Sequence, residues 1–141
     1  MDQTTSIIFF FAAIFIVGGI LFAIISFSRN SPKQLKQEYY RSQWLSIEAG
    51  VVQNDANTQL VALLNADKLL DKALQERGIS GQTMGERMKS YQTKWTNAND
   101  IWTAHKLRNR LAHETDVKIE YRQTKRALQA FKQALKDVGA L

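Results

Sequence analysis

Cysteine is absent from the 141 residues, and proline occurs once. Without cysteine the chain has no disulfide framework, no thiolate nucleophile and no cysteine-ligated zinc, and this composition suits a reducing compartment. One proline and seven glycines leave few points at which a helix must break. No segment shows the apolar–polar alternation of a half-buried strand. These absences predict an all-α protein.

Charge is also absent from residues 3–28, and residues 7–27 are almost wholly apolar. A helix of that length rises roughly 30 Å, which matches the hydrocarbon core of a bilayer. A cleaved signal peptide would begin with basic residues, whereas the leader carries Asp2 and no lysine or arginine. We therefore expect residues 1–29 to form a transmembrane anchor that contacts the lipid bilayer through residues 7–28.

The residues that flank the apolar run predict its orientation. Basic residues follow the run, at Arg29, Lys33, Lys36 and Arg41. Because the positive flank of a spanning helix stays in the cytoplasm, residues 30–141 should form a cytoplasmic domain. The expectation is a single-pass protein of the inner or plasma membrane.

Apolar residues recur at helical spacing in several segments after the run, and polar turns separate these segments. Ser31 and Pro32 are typical of a helix start, and the first of these helices should extend to about Val52. Gly78 and Gly139 are expected helix ends. The pattern predicts an up-and-down bundle of four to five helices after the transmembrane helix. The first of them is either a core-facing helix or an amphipathic helix on the bilayer surface.

The stretch 104–114 carries the side chains best suited to proton transfer and anion binding. It contains both histidines, His105 and His113, and three cations, Lys106, Arg108 and Arg110. Imidazole transfers protons near neutral pH, and a guanidinium can hold the charge of a phosphodiester transition state. The stretch thus places a proton-transfer group beside charges that could hold a phosphate, with Lys106 and Arg110 as substrate-binding residues.

The same residues can also have purely structural roles. Basic residues near a helix C-terminus complement its dipole, and His105 can be a half-buried structural residue. Asp67 and Asp71 lie one turn apart and are interpreted as structural or solvated carboxylates. Residues five apart are separated by about 140° on a helix, so Arg108 and His113 meet only if the helix ends or distorts near Ala112 or a second chain completes the site.

Arg108 and Asn109, then three residues and His113, match the Arg-x4–6-His signature of the HEPN superfamily (higher eukaryotes and prokaryotes nucleotide-binding domains). The resemblance extends to residues 65–74, 81–88, 105–114 and 127–135, and it covers roughly 40–141. It implies an α-helical bundle that is commonly dimeric. Many members are metal-independent endoribonucleases with the arginine and histidine at the dimer cleft, and others are non-catalytic binding modules.

Carried over to this chain, the resemblance makes Arg108 the phosphate-binding residue, Asn109 the orienting residue and His113 the proton-transfer residue. It implies a membrane-anchored HEPN-like protein that acts as an endoribonuclease of toxin or defence type, with no metal or other cofactor. Its partners would be a second copy, RNA and an antitoxin-like protein. The alternative is a non-catalytic, membrane-tethered dimerisation or interaction module, and whether the chain is an enzyme stays open. The net charge of +6 suits phosphate-rich partners, nucleic acid or anionic lipid.

Overall fold

A computed structural model of the protein describes residues 2–29 and 33–141. These residues form six α-helices and no strand, so the predicted all-α class is confirmed. The helices are α1 (Gln3–Arg29), α2 (Gln37–Ala49), α3 (Ala56–Glu76), α4 (Met84–Ser90), α5 (Ala98–His113) and α6 (Tyr121–Val138), with a 3-10 turn at Gln92–Lys94. The chain divides into two compact units, residues 1–32 and Lys33–Leu141.

The first unit is the apolar helix α1. Its segment Gln3–Phe27 has a mean hydropathy of 3.0 over its most apolar stretch, and its aromatic side chains are open, with Phe15 80% exposed. Such a surface is unfavourable in water and favourable in hydrocarbon. Among the described residues, α1 is the one helix long and apolar enough to span a membrane, as the sequence predicts.

Helix α2 is shorter than predicted. It begins at Gln37 and ends at Ala49, short of Val52, and the predicted start at Ser31 and Pro32 lies outside the described residues. No side chain caps its N-terminus. Its buried residues are Tyr40, Trp44 and Ile47, which recur at helical spacing. Since these side chains pack into the core of the second unit, α2 is a core-facing helix.

Helix α3 is the centre of the bundle and packs against α2, α4, α5 and α6. Asp55 caps its N-terminus by accepting hydrogen bonds from the backbone of Asn57 and Thr58. Gly78 ends it in a left-handed conformation (φ +76°), as predicted, and Ile79 N–H returns to Leu74 C=O.

Contacts between side chains fix the directions of the helices. Thr124 Oγ1 donates a buried 2.8 Å hydrogen bond to Gln59 Oε1, so the starts of α3 and α6 lie together. Thr96 at the start of α5 bonds to Asp137 near the end of α6, so those helices are antiparallel. Tyr40 at the start of α2 bonds to Glu76 at the end of α3. The predicted up-and-down order is therefore confirmed.

Hydrogen bonds from Arg87 connect α4 to α3 and to the loop between these two helices. Arg87 donates from Nε and Nη2 to the carboxylate of Asp71, at 2.8 and 3.0 Å, and from Nη1 to Gly81 C=O at 2.7 Å. Asp71 is thus structural, as predicted. Thr83 caps the N-terminus of α4: Thr83 Oγ1 accepts from Glu86 N–H, while the Glu86 carboxylate accepts from Gln82 N–H.

Candidate functional site

Helix α5 carries all the candidate residues. Asn97 caps its N-terminus by accepting from Asp100 N–H, and the helix continues without interruption to His113. Glu114 is extended and ends it. The helix does not distort near Ala112 and ends only after His113, so the helical geometry of about 100° per residue applies to the whole motif.

The residue that organises this region belongs to α3. Asp67 is 4% exposed, and its Oδ1 lies 2.7 Å from His105 Nδ1. Burying an unpaired carboxylate is costly, so a buried aspartate requires donors or a cation beside it. His105, with 12% of its side chain exposed, is one such partner and is a half-buried structural residue, as one interpretation of the sequence has it.

Arg108 is the second partner of Asp67. Its Nε lies 3.0 Å from Asp67 Oδ2, and 22% of its side chain is exposed. The Nε–H does not point at that oxygen and forms no hydrogen bond among the described residues, so the contact is an ion pair. The guanidinium therefore neutralises the buried charge of Asp67 within its own chain.

Asn109 closes a ring between the two partners. Arg108 Nη1 donates to Asn109 Oδ1 at 2.8 Å, and Asn109 Nδ2 lies 3.1 Å from His105 Nε2. An imidazole protonated at Nδ1 satisfies every contact: it donates to Asp67 and accepts from Asn109. We call Asp67, His105, Asn109 and Arg108 the polar ring. In a site of low dielectric, each of its bonds polarises the next.

His113 stands apart from the polar ring. It is the last residue of α5, its side chain is exposed, and it has no hydrogen-bond partner among the described residues. Arg108 and Asn109 belong to the polar ring on the side of α5 that faces α3, while the His113 side chain is exposed to solvent at the end of the helix. One chain therefore brings Arg108 and Asn109 together and does not bring His113 to them.

Lys106 and Arg110 lie on another side of α5. Both are exposed and line a groove between α5 and α6. Arg110 Nε is 3.8 Å from Glu114, and both side chains are more than half exposed, so this pair is weak. The two cations are available to an anionic partner.

The described part of the chain contains no group of three or more histidine, cysteine, aspartate or glutamate residues placed to hold a metal ion. Asp67 and Asp71, one turn apart, are each paired with α5 or α4 instead.

Sequence reasoning missed the role of Asp67. The available signal was its position: Leu63, Ala66 and Leu70 form the buried stripe of α3, and Asp67 lies within that stripe. An acid among core positions predicts a buried basic or hydrogen-bonding partner. That inference would have linked Asp67 to the basic stretch of α5.

Comparison with protein-family models, curated proteins and solved structures found no match to this chain.

Proposed function

We propose that this chain is a membrane-anchored, non-catalytic interaction module with a HEPN-like helical bundle. The observation that carries the proposal is the polar ring. Arg108 is paired with buried Asp67 and so holds α5 against α3, while Asn109 bonds to Arg108 and His105 within α5. The exposed surface of the bundle is then left for partners.

The basic residues that follow α1 support a cytoplasmic position for residues 33–141. In that arrangement the anchor confines the bundle to the membrane surface. Confinement raises its effective concentration towards other proteins at the same bilayer, which favours association without tight binding of each module.

An RNA cleavage assay tests the proposal. The full chain in detergent is incubated with RNA and EDTA, beside the variants His113→Ala and Arg108→Lys. We expect the RNA to remain intact in all three samples, while sedimentation of the chain without RNA shows association. EDTA-resistant cleavage that His113→Ala abolishes would overturn the non-catalytic assignment.

A specific observation favours a second candidate, a metal-independent endoribonuclease that acts at a dimer cleft. The His113 imidazole is open to solvent, and Arg108 Nη2 has no partner within the described residues. A second copy could therefore bring a histidine to a guanidinium that one chain keeps apart. Lys106 and Arg110 would bind the RNA backbone, and the role would be of toxin or defence type with an antitoxin-like partner.

The two candidates differ in their response to salt and to substitution. A nuclease that binds phosphates loses affinity for RNA steeply as salt rises. Its cleavage falls by at least about a hundredfold in His113→Ala, because a general acid–base residue contributes about that much. The interaction module shows neither effect.

A further inference from the structure

The groove between α5 and α6 has a volume of about 760 Å³. It runs beside α5 from Asn97 to Arg110, which corresponds to a length of about 20 Å. That length matches about four turns of an α-helix. Its shape therefore suits an elongated ligand better than a compact one.

Small residues form the floor of the groove. Ala104, Ala127, Ala130 and Ala134 line it and are all buried. Alanines at a helix–helix contact allow backbones to approach closely, since no large side chain separates them. Glutamines stand along the α6 wall, at Gln123, Gln129 and Gln133, where they can donate to or accept from a partner.

One end of the groove is basic. Lys106, Arg110 and Arg126 line it, and all three are exposed. Apart from the weak Arg110–Glu114 pair, these cations have no acidic partner among the described residues. Their positive charge is therefore left largely unneutralised by the described part of the chain.

The other end is acidic, but its carboxylates are already bonded. Asp137 accepts hydrogen bonds from the backbone and hydroxyl of Thr96 and from Gln133. Asp100 accepts from Asn97. The groove thus has a charge polarity in which only the basic end lacks partners.

We propose that this groove binds one amphipathic helix of a partner protein, with carboxylates in the C-terminal half of that helix lying against Lys106, Arg110 and Arg126. The negative end of the helix dipole then also faces the basic end, and its positive end faces Asp100 and Asp137. Small apolar residues of the partner cover the alanine floor. The proposal rests on the interaction function above and names the chemistry of its partner.

Two other occupants fit less well. An RNA strand along the groove would bring its phosphates beside Asp100 and Asp137. A second copy would have to offer a helix with carboxylates in its C-terminal half. The flanking helices do not, because α5 ends in Arg110 and His113, and the single acid near the end of α6, Asp137, is already bonded.

Selection from a peptide library tests the groove. Phage that display 14-residue helical peptides are selected against the full chain in detergent. We expect selected peptides to share glutamate or aspartate in their C-terminal half and an apolar stripe of small residues. The variant Lys106→Glu/Arg110→Glu should bind them at least about tenfold more weakly, because attraction becomes repulsion.

A matched control separates local from overall charge. Lys68→Glu/Lys118→Glu changes the net charge equally at exposed positions outside the groove, and should bind the peptides as the parent does. Thr103→Trp, which narrows the groove without changing charge, should also weaken binding. Far-UV circular dichroism checks that each variant keeps its helices.

Three outcomes overturn the proposal: no helical peptide is selected, the selected peptides lack the C-terminal carboxylates, or both charge-reversed variants bind equally. Preferential copy-to-copy cross-linking through Thr103→Cys, compared with Gln43→Cys on α2, would assign the groove to a second copy instead. These outcomes leave the non-catalytic assignment intact, since only His113-dependent RNA cleavage removes it.

Discussion

Asp67 shows how one buried side chain can determine the role of a neighbouring motif. Its carboxylate lies on the core stripe of α3 and takes His105 and Arg108 as partners. A motif that resembles a catalytic signature therefore contributes to the stability of the bundle. The contribution is large only while all members are present, because removal of one leaves the others buried without partners.

Replacement of Asp67 by alanine should lower the free energy of unfolding of residues 33–141 by about 3 kcal/mol, since His105 and Arg108 lose their buried counter-charge. Urea unfolding followed by circular dichroism measures this change. Asp116→Ala, at an exposed acid, and His113→Ala should each stay within about 0.5 kcal/mol of the parent. An equal small effect at Asp67 would contradict the role of the polar ring.

The environment of Tyr40 predicts that the fold loses stability at alkaline pH. Burial and then the hydrogen bond to Glu76 raise the pKa of Tyr40 far above its usual value near 10. The native protein therefore holds this proton more tightly than the unfolded chain. The stability that this proton contributes to the native state is complete below pH 10 and is lost as the pH rises from there towards the native pKa of Tyr40.

Tyr40→Phe should cost about 1 kcal/mol at pH 8, where it removes the hydrogen bond. It should also reduce the alkaline slope of stability, so that the difference between variant and parent shifts by roughly 1 kcal/mol in favour of the variant between pH 10 and pH 11. Urea unfolding at pH 8, 10 and 11 gives both quantities. Parallel curves for parent and variant would rule out a buried, tightly held proton.

At the scale of elements, the sequence predicts which helices exist better than where they begin. Helices α3 and α6 were predictable because they combine long apolar stripes with glycine ends at Gly78 and Gly139. The start of α2 was not, because Lys36 at its N-terminus gives no capping signal. Residues 114–120 link α5 to α6 without helix, and no proline or glycine marks that segment.

The loop between α3 and α4 depends on one glycine. Gly81 has φ +146°, and a Cβ atom there would lie 2.6 Å from the backbone nitrogen of Arg87. Gly81→Ala should therefore destabilise the bundle by at least about 2 kcal/mol. Gly78→Ala is the matched control, because its φ is +76° in open space and its expected cost is only about 1 kcal/mol. Equal thermal shifts for the two variants would contradict this account.

At the scale of the whole molecule, α1 and the helical bundle belong to two separate compact units. All residues of the buried core lie between Tyr40 and Ala140, so the second unit contains its own core. Residues 33–141 should remain soluble without α1. The full chain should stay in the membrane fraction when membranes are washed with alkaline carbonate.

The absence of native cysteine allows a direct test of orientation. A thiol introduced by Lys89→Cys, at an exposed position, should react with a membrane-impermeant maleimide only after the cells are broken. A thiol introduced near the start of α1, by Thr4→Cys, should react in intact cells. The reverse labelling pattern would contradict the orientation predicted from the basic residues that follow the span.

The residues of the candidate site could be named from the sequence, but their arrangement could not. Local composition identified Lys106, Arg108, Arg110 and His113, and the resemblance to the HEPN signature added Asn109. Their partners were hidden because Asp67 is distant in sequence and belongs to another helix. The groove was hidden for a similar reason: it forms only when α5 and α6 lie side by side, and neither helix alone indicates it.

Helix α5 has two buried residues, Ile101 and Ala104, whereas α6 has eight. Its second half is attached through the polar ring and through the partly buried Leu107 and Leu111, and it should unfold locally in rare excursions while α3 and α6 stay folded. Amide hydrogen exchange should be faster for residues 105–113 than for 127–135. A ligand that bridges α5 and α6 would slow that exchange, and so such a ligand would control how often the guanidinium of Arg108 is released to solvent.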